Sequence, residues 1–190
     1  VPSLAILRDG DAVCARTRLG LDQRVVLAGH LDTVPIADNV PGRFEERDGA
    51  TVLWGRGSVD MLGGCAAALA LACEVGAVLR SGDEDALSAD VTWIFYDHEE
   101  VASHLNGLGR VQRNHPEWLA GDLALLGEPT AAHVEGGCNG TLRVIARFPG
   151  RAAHSARAWM GVNAIHAMAP VIERIAAYGN PVVAADGLEF

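Results

Sequence analysis

Lysine is absent from the chain, so all fifteen cationic side chains are arginines. That absence weakens a phosphate-loop reading of Gly55-Arg56-Gly57, because such a loop needs a lysine on the phosphates and the full dinucleotide pattern is missing too. Positive charge is short overall. Twenty-four carboxylates against fifteen cations give a formal charge of -9, the reverse of the balance that nucleic-acid binding favours. Cysteine is scarce: Cys14, Cys65, Cys73 and Cys138 form no CxxC pair and are too few for a disulfide scaffold. This predicts a reducing, cytoplasmic setting with most of them as small buried fillers. Val1-Pro2-Ser3 lacks the basic, apolar and small-residue order of a signal peptide. Gly187-Leu188-Glu189-Phe190 reads as the start of a strand, so a segment of a longer protein is expected. No internal repeat or low-complexity linker is found.

What is present suffices for a core: 190 residues, 49% of them hydrophobic, fit one domain or one plus part of another. Leu4–Arg8 and Ala12–Arg18 flank Asp9-Gly10, a hairpin signal, and Arg24–Ala28 is a short apolar strand ending at Gly29. A second hairpin is predicted around Asp48-Gly49, between residues 43–46 and 51–54. Residues 63–80, rich in alanine and leucine, read as a buried helix. Its length nears that of a membrane span, but Glu74, Gly63-Gly64 and the alanine content favour a soluble helix. Val91–Tyr96 and Leu123–Leu126 read as buried strands, and Leu105–Asn114 as a short helix before Pro116. Beyond Pro129, Thr141–Phe148 alternates like a strand, and Val162–Tyr178 has helical spacing up to Gly179-Asn180-Pro181. Apolar strands alternating with helices predict an α/β sheet.

Chemistry-bearing residues fall at the predicted strand ends, where an open α/β sheet presents its ligands. His30-Leu31-Asp32 puts an imidazole and a carboxylate on one face if the chain is extended, so that Asp32 can orient His30. Asp60 stands at a strand-to-helix junction, as a ligand or a helix cap. Glu99 and Glu100 repel one another unless a countercharge intervenes, and a divalent metal supplies one. One could ligate while the other takes a proton from water. Glu128 precedes a proline turn. One histidine and several carboxylates from separate strand ends suit a two-metal hydrolytic centre, with zinc favoured by the mixed donors and cobalt or manganese as substitutes.

The ordered motifs Gly29-His30-Leu31-Asp32-Thr33-Val34-Pro35, Gly55-Arg56-Gly57-Ser58-Val59-Asp60-Met61-Leu62-Gly63-Gly64, Glu99-Glu100, Gly127-Glu128-Pro129-Thr130 and His154-Ser155-Ala156-Arg157 resemble the dinuclear zinc aminoacylase and exopeptidase family, of the acetylornithine deacetylase and carboxypeptidase G type. Tyr96 to Val101, Asn106 to Arg110 and His154 to His166 look most like its actinobacterial desuccinylases. The resemblance implies a mixed sheet flanked by helices over residues 1–138, the metal-binding catalytic domain, and the start of a smaller α+β dimerisation or lid domain over residues 139–190. It implies that Asp60 bridges two zinc ions, His30 and Glu128 complete one site, and Glu100 binds the other. Asp32 would orient His30, Glu99 would be the general base, and His154 would stabilise the oxyanion in a partner's site within a homodimer. The implied substrate is an N-succinyl amino acid of lysine biosynthesis, with no nucleic-acid or membrane partner.

Two departures stand out. The family usually carries lysine where Leu62 stands, and no motif here matches its last zinc ligand, a histidine near the far C-terminus. The segment alone is therefore expected to be inactive, and an incomplete second domain that exposes apolar surface is expected to leave it poorly soluble. Alternatives are a deacetylase or dipeptidase of the same family, or a non-catalytic metal-binding relative.

Overall fold

In the computed structural model, which describes residues 3–83, 86–137, 142–179, 181–185 and 187–189, the Asp9-Gly10 signal forms a hairpin. Its strands are β1 (Ala5–Asp9) and β2 (Ala12–Arg16), antiparallel, with Asp9 opposite Ala12. The strand β3 (Arg24–His30) runs on to the histidine itself. β4 (Arg43–Arg47) and β5 (Ala50–Trp54) make the second hairpin, where the Arg43 guanidinium lies 3.7 Å from the centre of the Trp54 ring. Then follow the helix α1 (Leu62–Ser81), the strand β6 (Asp90–Tyr96), the helix α2 (Gly107–Asn114) and the strand β7 (Leu123–Leu126). A short 3-10 turn at Ser103–Leu105 takes the first turn expected of α2.

Five strands join in the order β1-β2-β6-β3-β7. β2 runs antiparallel to β6, while β6, β3 and β7 are mutually parallel. The sheet is therefore mixed, and the fold is α/β. β6 is central and covered on both faces, which is why its sequence reads as a continuous apolar run. On one face Ile94 and Tyr96 pack with Ala12, Cys14 and Val26 against Val111 and Trp118. On the other Trp93 packs with Leu4 and Ala15 against Ala72 and Val75 of α1.

Alanine and glycine let α1 approach the sheet closely. A Cβ at Gly64 would lie 2.3 Å from the Gly127 carbonyl oxygen, so only glycine fits where α1 meets the residue after β7. Among the described residues α1 is the one helix long and apolar enough to cross a membrane, by length and composition; here it lies along β3 and β6.

Two expectations of burial need correcting. Of α1 only Cys65, Ala72, Val75 and Gly76 are buried, while Leu69 and Leu71 are exposed. β7 is present at the edge of the sheet but exposed along its whole length. Apolarity reports a tendency to be covered, and the other elements of the first unit do not cover that side. Cys14 and Cys65 are buried and Cys73 exposed; Cys138 lies outside the described residues.

The chain divides into a unit of Val1–His133 and another of Val134–Phe190. The expected boundary at 138 and 139 falls on residues that are not described. In the second unit the helix α3 (Ala164–Ala176) is capped by the Asn163 side chain, which accepts from the Ile165 N–H at 2.9 Å. Two-residue strands β8 (Ala184–Ala185) and β9 (Leu188–Glu189) pair nearby in sequence. The predicted strand over residues 141–148 is not formed at 142–148. Its alternation is real, but Leu142 and Val144 find no ladder partner and stay exposed, and a lone strand leaves its backbone unpaired.

Candidate metal centre

Parallel pairing brings the site residues together. β3 and β6 register His30 opposite Tyr96, and β3 and β7 register Ala28 opposite Leu126. The residues just beyond, Asp97 to Glu100 and Glu128, therefore emerge beside His30 at one edge of the sheet, outside the carboxyl ends of the strands.

His30 is buried, 1% exposed. Its backbone N–H donates to the Met61 sulfur at 3.2 Å, and the Cys65 thiol donates to its carbonyl at 3.2 Å. Its ring meets Tyr96 edge-on, with centres 6.3 Å apart. Nδ1 lies 2.8 Å from the Asp32 carbonyl oxygen, so Nδ1 carries the proton as donor, and Nε2 faces Asp60 at 3.0 Å and Glu128 at 3.8 Å. Burial pushes the imidazole pKa down, but the Asp32 carbonyl, Glu128 and Asp60 outweigh it and the net shift is upward. Glu128 is raised above the usual carboxylate range, first by burial and then by Asp60, Glu99 and Glu100, with His30 opposing.

Two groups of donor atoms each lie within 4.8 Å of one another: His30, Asp60 and Glu128, and His30, Glu99 and Glu100. Five of the residues singled out from the sequence thus converge. The shared member is His30, whereas the resemblance implied Asp60. Among the described residues Asp60 and Glu128 make ion pairs only with His30. Such a crowd of carboxylates around an imidazole whose Nε2 points inward fits a divalent cation, with mixed nitrogen and oxygen donors.

Asp32 divides its work differently from expectation. Its carbonyl orients His30, while its carboxylate stands 3.7 Å from Nδ1. That carboxylate accepts from the Glu99 N–H at 3.0 Å and the Glu100 N–H at 3.1 Å. It thereby holds the loop that carries both glutamates. His154 belongs to the second unit, where it is exposed and its Nδ1 accepts from the Ala156 N–H at 3.1 Å. Leu62 begins α1 and brings no charge towards Asp60.

Sequence reasoning missed Met61, Cys65 and Tyr96 as the packing around His30; the apolar context of Gly29-His30 was their only signal. It also missed Arg110, whose guanidinium pairs with Asp97 at 2.6 Å.

The model of peptidase family M20/M25/M40 matches residues 26–175. A succinyl-diaminopimelate desuccinylase of Corynebacterium glutamicum is 50% identical over 190 residues, all of this chain and 49% of the relative. A Mycobacterium tuberculosis protein that bears the desuccinylase name provisionally is 48% identical over 185 residues, 97% of this chain and 49% of its own length. The chain thus spans about half the length of the curated relatives it matches. Among solved structures, an M20 family metallo-carboxypeptidase of Sulfolobus solfataricus aligns at a TM-score of 0.45 and 18% identity, over 65% of this chain and 28% of its own.

Proposed function

The chain belongs to the peptidase family M20/M25/M40, a family of metal-dependent hydrolases, and from that premise we propose that it carries the metal-holding part of a succinyl-diaminopimelate desuccinylase. The reaction is hydrolysis of N-succinyl-L,L-diaminopimelate to succinate and L,L-diaminopimelate, in cytoplasmic lysine biosynthesis. The observation that carries this reading is the convergence of His30, Asp60, Glu99, Glu100 and Glu128 within two overlapping donor groups.

His30, Asp60 and Glu128 would hold one divalent ion and Glu100 would serve a second; zinc suits the donors best, with cobalt or manganese as substitutes. When bound, such ions polarise an amide carbonyl and acidify water. The chain's own residues do the rest. Asp32 fixes His30 in the tautomer that presents the Nε2 lone pair, and with the same residue's carboxylate it holds Glu99 and Glu100. Glu99 takes the proton of the water that adds to the amide carbon, then returns it to the departing nitrogen. His154, from the second domain of a homodimer partner, would donate to the oxygen on which charge develops. Residues 1–138 serve as the catalytic portion and residues 139–190 as the start of the dimerisation domain.

The test uses the full-length protein. Glu100→Ala should lose metal, measured by metal content after dialysis. Glu99→Gln should keep the metal and lose succinate release by about 100-fold or more. A parent that releases no succinate, but acts on acetylornithine or a dipeptide, would move the substrate to another member of the family. A Glu99→Gln protein with full turnover would remove the assigned base.

A further inference from the structure

The segment carrying Glu99 and Glu100 leaves the sheet at Asp97 and turns sharply, with His98 at a φ of 61°, in the left-handed region that residues other than glycine adopt uncommonly. From the front the Asp32 carboxylate grips the next two backbone N–H groups. From behind, a second set of contacts grips Asp97. The Arg110 guanidinium meets its carboxylate with both arms, Nη2 to Oδ1 at 2.6 Å and Nη1 to Oδ2 at 3.2 Å. The Gly107 N–H, at the start of α2, donates to the Asp97 carbonyl at 2.7 Å. A Cβ on Gly107 would come within 2.4 Å of Oδ1, so the helix start is seated directly against this residue.

Arg110 is in turn anchored. Nη2 donates to the Asp9 carbonyl at 2.8 Å, Nε stands 3.4 Å from the Asp9 carboxylate, and the Asn114 amide donates to the other Asp9 oxygen at 2.8 Å. Asp9 ends β1, so the chain of contacts runs from the outer hairpin through Arg110 to the foot of the glutamate loop. Asp97 is 7% exposed, and a planar fork on a carboxylate fixes direction as well as distance.

We infer that Arg110, acting through Asp97, is a positioning residue that sets where Glu99 and Glu100 stand at the metal centre. The inference rests on the metal-centre reading given above. Contacts one shell behind metal ligands ordinarily control affinity and rate by holding the ligands in place. A lysine could match the charge of Arg110 but not its two-armed geometry.

The test compares Arg110→Met and Arg110→Lys with Asp90→Asn in the full-length protein. Asp90 is the buried aspartate at the opposite end of β6, so its loss loosens the fold without touching the loop. Zinc affinity is read by competition with a chromophoric chelator. Amide hydrogen exchange at Glu99 and Glu100 is read in metal-free protein. Arg110→Met should weaken zinc binding by about 10- to 100-fold, speed exchange at the two glutamate amides but not in β3, and lower kcat with KM unchanged. Arg110→Lys should fall between it and the parent, and it carries the test if Arg110→Met does not fold. Asp90→Asn should melt earlier yet bind zinc as the parent does. Folded Arg110 variants with parental zinc affinity and exchange would overturn the inference, as would an equal loss of zinc affinity in Asp90→Asn. A parent that binds no zinc would sink the metal-centre reading itself, and this one with it.

Discussion

The helices α1 and α3 are similarly apolar, yet the units that hold them have very different interiors. In the first, α1 and α2 each lay residues against a sheet face, and Trp93 and Val111 become fully buried. In the second, α3 has apolar residues at helical spacing and a good cap, yet Ile165, Ile172 and Ile175 remain exposed. The difference shows that apolar periodicity and a cap mark where a helix lies, while burial needs a facing surface.

The sharpest way to break the contrast is to remove one large side chain from each unit. Trp93→Ala should cost about 3–5 kcal/mol in denaturant unfolding, because it empties a site packed from both β2 and α1. Ile165→Ala, 70% exposed, should change stability by less than about 0.5 kcal/mol. Comparable losses from both would mean that α3 is packed in solution.

Next in size is Gly64→Ala. The added methyl meets a backbone carbonyl rather than a flexible side chain, so α1 must move away from Gly127 at a cost of about 1–3 kcal/mol. Because Glu128 follows Gly127, the same variant should also weaken metal binding, which equilibrium dialysis would measure. Unchanged melting and metal content would show that α1 has room there.

The smallest effect at neutral pH is an acid slope in the first unit. The Arg110 guanidinium, with the His98 side chain, holds Asp97 down to about 2 from an ordinary 3.8, against the opposing effect of burial. Burial raises Asp90, but the Thr17 hydroxyl, the Leu19 and Leu21 N–H groups and Arg24 bring it below its usual range. Folded values below the unfolded ones mean that this stability is fully present above 3.8 and drains as pH falls towards about 2. Unfolding free energy measured through that window should fall in the parent and fall less steeply in Arg110→Met. Equal slopes would remove Asp97 from the account.

The central strands were legible because burial on both faces leaves an unbroken apolar run, as in Val91–Tyr96. The same logic overreached at β7 and α1, where an apolar run has only one side covered, and at residues 142–148, where alternation has no partner strand. His30, Asp60, Glu99, Glu100 and Glu128 were legible because each follows a strand or precedes a helix. The carboxylate of Asp32 was assigned to its neighbour in sequence, whereas parallel pairing carries it to a loop 67 residues away. The pairing of Arg110 was invisible for the same reason, since its anchor at Asp9 is 101 residues distant and only the fold makes them adjacent.

β7 leaves one edge of the sheet with backbone donors and acceptors that no described strand takes up, beside exposed Leu123, Leu125 and Leu126. Such an edge is a template for any extended chain that reaches it, and in a concentrated sample the commonest candidate is the same edge on another copy. That encounter is second order, so halving the protein concentration should cut the initial rate of monomer loss about fourfold and double its half-life. How long a preparation of this chain stays clear would then lengthen with dilution.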